Sequence, residues 1–469
     1  MLFSDPIFFL FFAVYFLFHL IVPPRARLYL IILGSSIFYA WWRADYLWLP
    51  YLLTAISWAG VAWIEIATGA AARKRRLIVT LILLFLPLVI VKYSYFLVFD
   101  VIGRIIDVSG VAPDPAALRF ALPLGISFIT FTLTAYVVDV YRGIYLAEQR
   151  VETVAGYVLF FPHLIAGPIL RPHELIPQFK QLRRALGARF VVGIAIFTLG
   201  LVKKLIFADQ LAAVTDRVFA PGATATGWEY ALGIYGFSVQ IYCDFSGYTD
   251  MAIGIAYLLR IRLPTNFLRP YAATSIVDFW RRWHITLSHW LRDYLYIPLG
   301  GNRGGELGRF RNVLITMVLG GLWHGANWTF VIWGLLHGLA LGATHALRRP
   351  MRALGIGPPS WLSVILTFHF VTAAWVFFRA PTLSDAGRVF GGLVTADWSG
   401  GATFAAGHSF PILLLAVFAL LHRFDRHAVV RLGVRKLNPG ILWPALGLCW
   451  ALAVTVSQGS SAKFIYFDF

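Results

Sequence analysis

Cysteine and acid are the scarcest resources of this chain. Two cysteines, Cys243 and Cys449, occur in 469 residues. They lie far apart in or beside apolar segments, which argues against a disulfide framework and against a cysteine metal site. Charged residues make up 13% of the sequence, and 22 Asp and Glu stand against 40 Lys and Arg. That is too little charge to clothe a soluble domain of this length. The ten-residue alternation of barrel strands, internal repeats, coiled-coil heptads and low-complexity tracts are all missing. So are a glycine-rich phosphate loop, a G-x-S-x-G elbow and any histidine pair with a third ligand at metal spacing. No metal and no bound cofactor are expected, and the chemistry has to come from histidine.

Apolar residues fill the rest: 59% of the chain is hydrophobic and 16% aromatic. In lipid only helices and closed barrels satisfy their own backbone, so the long apolar runs predict an all-α polytopic integral membrane protein, residues 1–469 forming one membrane domain. Apolar runs fall at Pro6 to Val22, Leu28 to Trp42, Tyr46 to Ala67, Leu77 to Phe99 and Phe120 to Val140. They continue at Phe190 to Phe207, Trp228 to Tyr242, Asn312 to Trp323, Trp328 to Leu347, Trp361 to Phe378, Phe410 to Leu421 and Ile441 to Val456. About 11–12 crossings result, with Tyr157 to Leu170 taken as a re-entrant or interfacial element.

The formal charge of +18 is gathered in short clusters between these runs, among them "PPRAR", "AARKRR", "ALRRPMR" and "RFDRHAVVRLGVRK". Cytoplasmic loops collect such clusters, so the charge reads as membrane topology and not as a nucleic-acid partner. This orientation puts the N-terminus, the loop Asp100 to Leu118 and the C-terminal "SSAKFIYFDF" outside. Lys92, near the end of a run, is expected to snorkel to the interface.

Polar residues at membrane depth are the candidates for function. "GGLWHGANW" sets His324 beside Gly320, Gly321 and Gly325, with Asn327 three residues on. Such a stretch interrupts a helix, and interrupted backbone is tolerated where it is buried in protein or lines a watery cavity, so His324 is expected to face a cavity. "IYCDFSGYTDMAIG" places Asp244 and Asp250 in an apolar helix, where pairing with nearby Arg or the lining of a water path is expected, with Gly247 allowing a break. "DFWRRWHITLSHWLRDYLYIPLGGNRGG", Asp278 to Gly305, mixes Arg and Asp with His284, His289 and many aromatics. It reads as an amphipathic interfacial helix, with Asp278 and Arg282 at ion-pair spacing. His337 reads as a packing histidine.

The blocks "LPLGISFITFTLTAYVVDVYRG" (Leu122 to Gly143), "FFPHLIAGPILRPHELIPQF" (Phe160 to Phe179), "YCDFSGYTDMAIGIAYLLRIRLPTNFLRPY" (Tyr242 to Tyr271), "DFWRRWHITLSHWLRDYLYIPLGGNR" (Asp278 to Arg303) and "GLWHGANWTFVIWGLLHG" (Gly321 to Gly338) resemble the membrane-bound O-acyltransferase family. The branch is the one typified by the membrane subunit of bacterial alginate O-acetylation. The closing "FIYFDF" fits too, and the motif-rich part spans about residues 242–338.

That resemblance implies a helical bundle around a central tunnel in the bacterial cell inner membrane. It implies a cytoplasmic thioester donor such as acetyl-CoA, and a hydroxyl acceptor on an exported polysaccharide, alginate or a similar polymer. A periplasmic partner of the serine-hydrolase type is implied as well, together with membrane lipids around the bundle. A sister group delivers D-alanine to teichoic acid. The essential family histidine matches His324, and a second histidine or asparagine matches His284; His289 receives no role.

Physical chemistry points the same way, because a sugar hydroxyl is a poor nucleophile at neutral pH and histidine is the side chain suited to accept its proton. Asn327, or a backbone amide freed by the glycines, is the candidate to stabilise an oxyanion or position substrate. Arg281, Arg282 and Arg303 are candidates to attract the phosphates of the donor, and Asp244, Asp250 and Trp323 to line the tunnel. A polysaccharide or lipid transporter would also show broken helices with buried charge.

Overall fold

Apolar runs become helices here because lipid offers the backbone no hydrogen-bond partner, and no strand occurs among the described residues. The computed structural model describes residues 1–106, 115–179, 187–353, 358–458 and 462–465. Parts of the loop Asp100 to Leu118 and of the closing "FIYFDF" lie outside them.

Six helices among the described residues are long and apolar enough to cross a membrane: Ala44–Glu65, Ala70–Tyr93, Arg189–Phe219, Trp328–Leu347, Ser360–Arg379 and Pro439–Ser457. The pair Gly401–Gly407 and Ser409–Phe424 is bent by 82° and qualifies as one broken span, while Pro6–Ile21 and Ile126–Tyr141 are apolar but shorter. The protein is a multi-pass, all-helical membrane protein. Fewer helices meet the length and apolarity criteria than apolar runs were counted, because several runs fold into short or bent helices.

The chain packs as two compact units, Met1–Ile194 with Met251–Pro264, and Ala195–Asp250 with Thr265–Phe469. In the first, helices approach closely: a Cβ on Gly60 would lie 2.3 Å from Thr80 Cγ2. Tyr157 to Leu170, expected as a re-entrant or interfacial element, is not one continuous helix. It folds into Val151–Leu159 and Phe161–Leu164, and every residue from Thr153 to Leu170 is buried in protein. Ser35 Oγ accepts from the Phe161 amide at 3.1 Å, and the Tyr157 hydroxyl donates to the Leu170 carbonyl at 2.7 Å. The broken backbone is thus satisfied by neighbours and not by headgroups.

The expected span Trp228 to Tyr242 is the start of a 32-residue helix, Gly227–Leu258, about 48 Å long at 1.5 Å per residue, whose residues up to Asp250 belong to the second unit. No break occurs at Gly247. Its missing side chain serves a close crossing instead, since a Cβ there would lie 2.8 Å from the Gly200 carbonyl and 3.2 Å from Lys203 Cβ.

Candidate functional site

The helix Gly305–His324 ends on His324, and Trp328–Ala353 begins after a three-residue turn. The glycines let these two helices lie against each other. A Cβ on Gly321 would meet the Phe330 carbonyl at 2.2 Å, and one on Gly334 would meet the Met317 carbonyl at 2.4 Å. Ring centroids of Trp323, Phe378 and Trp333 stand 4.9, 5.1 and 5.2 Å from the His324 imidazole. It is 4% exposed, with these three rings packed around it.

Asn327 serves this turn. Its Oδ1 accepts from the Thr329 amide at 3.1 Å, capping the second helix, and its Nδ2 donates to the Pro381 carbonyl at 2.9 Å. Capping is thus the role the contacts show for Asn327, with one of its two Nδ2 hydrogens spent on Pro381.

The stretch Asp278 to Gly305 is not one interfacial helix. It is split into Ile276–Trp280 and Ile285–Leu291 by His284, whose φ of 41° lies in the left-handed region. Trp280, Trp283 and Trp290 are buried, so its aromatics build core and do not rest at a headgroup layer. Asp278 and Arg282 pair as their spacing predicts, at 2.9 Å.

The break turns His284 inward, fully buried, with Phe245 at 4.7 Å and Trp323 at 6.1 Å between ring centroids. Trp323 is therefore the shared neighbour of both histidines. Arg281 and Arg303 are exposed and stand apart from this buried pair by environment. His337 accepts from Trp280 Nε1 at 3.3 Å and stacks on Phe279, the packing role its position predicts.

Asp244 and Asp250 are paired with lysine, not arginine. Lys203 Nζ sits 2.7 Å from Asp250 and 2.7 Å from Asp425. His427 Nε2 reaches the other Asp250 oxygen at 2.7 Å, and the Tyr242 hydroxyl donates to Asp425. Lys204 Nζ lies 2.7 Å from Asp209 and 2.8 Å from Asp244, and it also donates to the Ala462 carbonyl at 2.9 Å. Asp244 in turn accepts from the Ile465 amide at 2.7 Å.

Both lysines stand where the helix widens to five-residue hydrogen bonding, Lys203–Ala208, a distortion frequent at functional sites. Neither lysine stands among the residues expected at the site, although two lysines in the apolar run "GLVKKLIFA" are a signal in themselves. No group of three or more His, Cys, Asp or Glu side chains able to hold a metal occurs among the described residues.

The sequence profile of the membrane-bound O-acyltransferase family matches residues 150–381. The chain is 42% identical over 406 residues to the probable alginate O-acetylase AlgI of Azotobacter vinelandii, covering 85% of this chain and 79% of that one. It is 39% identical to the peptidoglycan O-acetyltransferase of Helicobacter pylori, covering 84% and 80%. To the teichoic acid D-alanyltransferase of Bacillus subtilis it is 27% identical over 54% of this chain and 68% of that one.

Proposed function

The chain belongs to the membrane-bound O-acyltransferase family, and from that premise we propose that it moves an acetyl group from a cytoplasmic thioester, acetyl-CoA, toward hydroxyls of an exported polysaccharide. The observation that carries the reading is the His324 imidazole, buried at the end of its helix among Trp323, Trp333 and Phe378, with His284 on the same Trp323 ring.

In this reading His324 takes the proton of the acceptor hydroxyl as its oxygen attacks the acetyl carbonyl carbon. The tetrahedral adduct then collapses, the carbon–sulfur bond breaks, and the thiolate leaves with the proton that His324 returns. The dry aromatic surround strengthens each charge interaction of that step and keeps water from competing for the acyl group.

The relatives named for alginate and peptidoglycan acetylation match over much more of the chain than the D-alanyltransferase, which favours acetyl over D-alanyl transfer. Final delivery to the polymer falls to a periplasmic partner of the serine-hydrolase type, at the bacterial inner membrane. Membranes containing the protein and supplied with radiolabelled acetyl-CoA should form alkali-labile acetyl ester on polymer or partner. Uptake of label without ester would mark a transporter instead.

Arg281, exposed on the turn between the two short helices, is the arginine best placed to meet a phosphate from solution. Arg282 is already engaged with Asp278. Arg281→Gln is expected to raise the half-saturating acetyl-CoA concentration by about tenfold, the worth of one charge-assisted hydrogen bond, with little change in maximal rate. A fall in maximal rate with the half-saturating concentration unchanged would show instead that the residue acts on the chemical step.

A further inference from the structure

Asn266 follows the long helix in an extended connection and is 1% exposed. The Thr286 backbone amide donates to its Oδ1 at 3.2 Å. A backbone N–H only donates, so that contact fixes which end of the carboxamide is oxygen. The Thr286 hydroxyl is 2.9 Å from the same oxygen, and His284 Nδ1 is 3.3 Å from it. An amide oxygen only accepts, so the proton in that last contact belongs to Nδ1. The neutral imidazole is then the Nδ1–H tautomer, with its lone pair on Nε2.

Two further observations say that the oxygen end governs this arrangement. Asn266 Nδ2 is buried with no hydrogen-bond partner among the described residues, an exception for a buried donor that asks for a reason. The backbones are joined as well, the Ile285 amide donating to the Asn266 carbonyl at 2.9 Å, beside the left-handed φ of His284. Strain and an idle donor at one buried spot mark a place held for function.

We propose that Asn266 is a positioning residue for acyl transfer, which holds His284 as the Nδ1–H tautomer so that Nε2 serves as the hydrogen-bond acceptor beside the base His324. This rests on the reading of His284 as part of the site. The elements packed on His284 present Phe245, Phe267 and Trp323. The charged and titratable groups next to them are Asp244, paired with Lys204, and His324, while Arg282 on its own element is paired with Asp278.

The test is the pH profile of acetyl transfer by the full-length protein in membranes, with radiolabelled acetyl-CoA as donor. Asn266→Asp keeps the acceptor oxygen but sets a negative charge against Nδ1–H. That charge favours the protonated ring, so a lone pair on Nε2 requires higher pH. The acidic limb of the profile should move up by about one unit or more, with the rate at high pH retained. Thr286→Val, which keeps the His284 contact, should leave the limb in place, and Asn266→Asp should move nothing in a His284→Asn background.

An unmoved limb, in a protein that His284→Asn slows, would overturn the positioning role while leaving the site reading intact. A His284→Asn protein as fast as wild type would overturn both. Should Asn266→Asp fail to insert, the ¹⁵N spectrum of histidine-labelled protein, taken as a difference against His284→Asn, decides the matter. A pyrrole-type Nδ1 with a pyridine-type Nε2 supports the assignment, and the reverse pattern ends it.

Discussion

Replacing His324 by alanine is expected to slow acyl transfer by about a hundred- to ten-thousand-fold, the range in which a positioned general base contributes. The protein should still insert and fold, because the imidazole stands in a ring of aromatic side chains that can close on a small void. His324→Gln separates the two things alanine removes, volume and proton affinity. Glutamine nearly fills the space between Trp323, Trp333 and Phe378 but accepts no proton, so it should be as inactive as alanine. His284→Asn should be slowed less, and His337→Asn should keep most activity. A His324→Gln protein with near wild-type transfer in membranes would return His324 to a packing role.

The second large effect is expected on stability. Lys203 is the shared counter-charge of Asp250 and Asp425; Lys203 and Asp250 are buried, and Asp425 is 14% exposed at its side chain. Lys203→Met leaves two carboxylates near each other with His427 and the Tyr242 hydroxyl as their remaining partners. Removing one partner of a buried ion pair typically costs about 3–5 kcal/mol, a large share of the stability of an average protein.

The expected result is a steep fall in the amount of folded protein extracted by mild detergent and in its unfolding temperature. Adding Asp425→Asn to Lys203→Met should restore part of both, since the amide removes one of the stranded charges and keeps the Tyr242 hydrogen bond. Unchanged thermal stability of the single variant would show that the cluster contributes nothing to the fold.

Local patterns were legible in the sequence, and distant partnerships were not. The apolar runs predict helices, the glycines around His324 predict the turn between two of them, and the four-residue spacing predicts the Asp278 to Arg282 pair. Each of these is decided within a few turns of chain. Gly247 shows the limit: a glycine in a helix reads equally as a weak point or as a contact point, and only the presence of Gly200 across the crossing chooses between them.

Asp244 and Asp250 were visible as costly residues, but their lysines come from another helix and Asp425 from the connection between His422–Phe424 and His427–Lys436. Asn266 carried no signal, because an asparagine in a connection is common and its role depends on where Thr286 and His284 end up. The aromatics of Asp278 to Gly305 misled for a related reason. Tryptophan with arginine describes a headgroup layer and a buried aromatic core equally well, and the αL break at His284 that folds the segment inward has no signature in composition.

The buried stretch from Thr153 to Leu170 has a consequence for biogenesis. Its two short helices cannot be released sideways into lipid as a finished span, since the bend between them leaves the Phe161 amide to Ser35 Oγ and the buried Tyr157 hydroxyl to the carbonyls of Thr132 and Leu170. Two of these partners sit on Arg27–Ala40 and Ile126–Tyr141, which are synthesised earlier. The stretch therefore has to wait at the insertion machinery, or in its shelter, until those helices are in place to receive it. Assembly of this half of the protein is then ordered by the ribosome: a slow codon run or a chaperone acting between residues 141 and 172 would change the yield of inserted protein without altering any residue of the site.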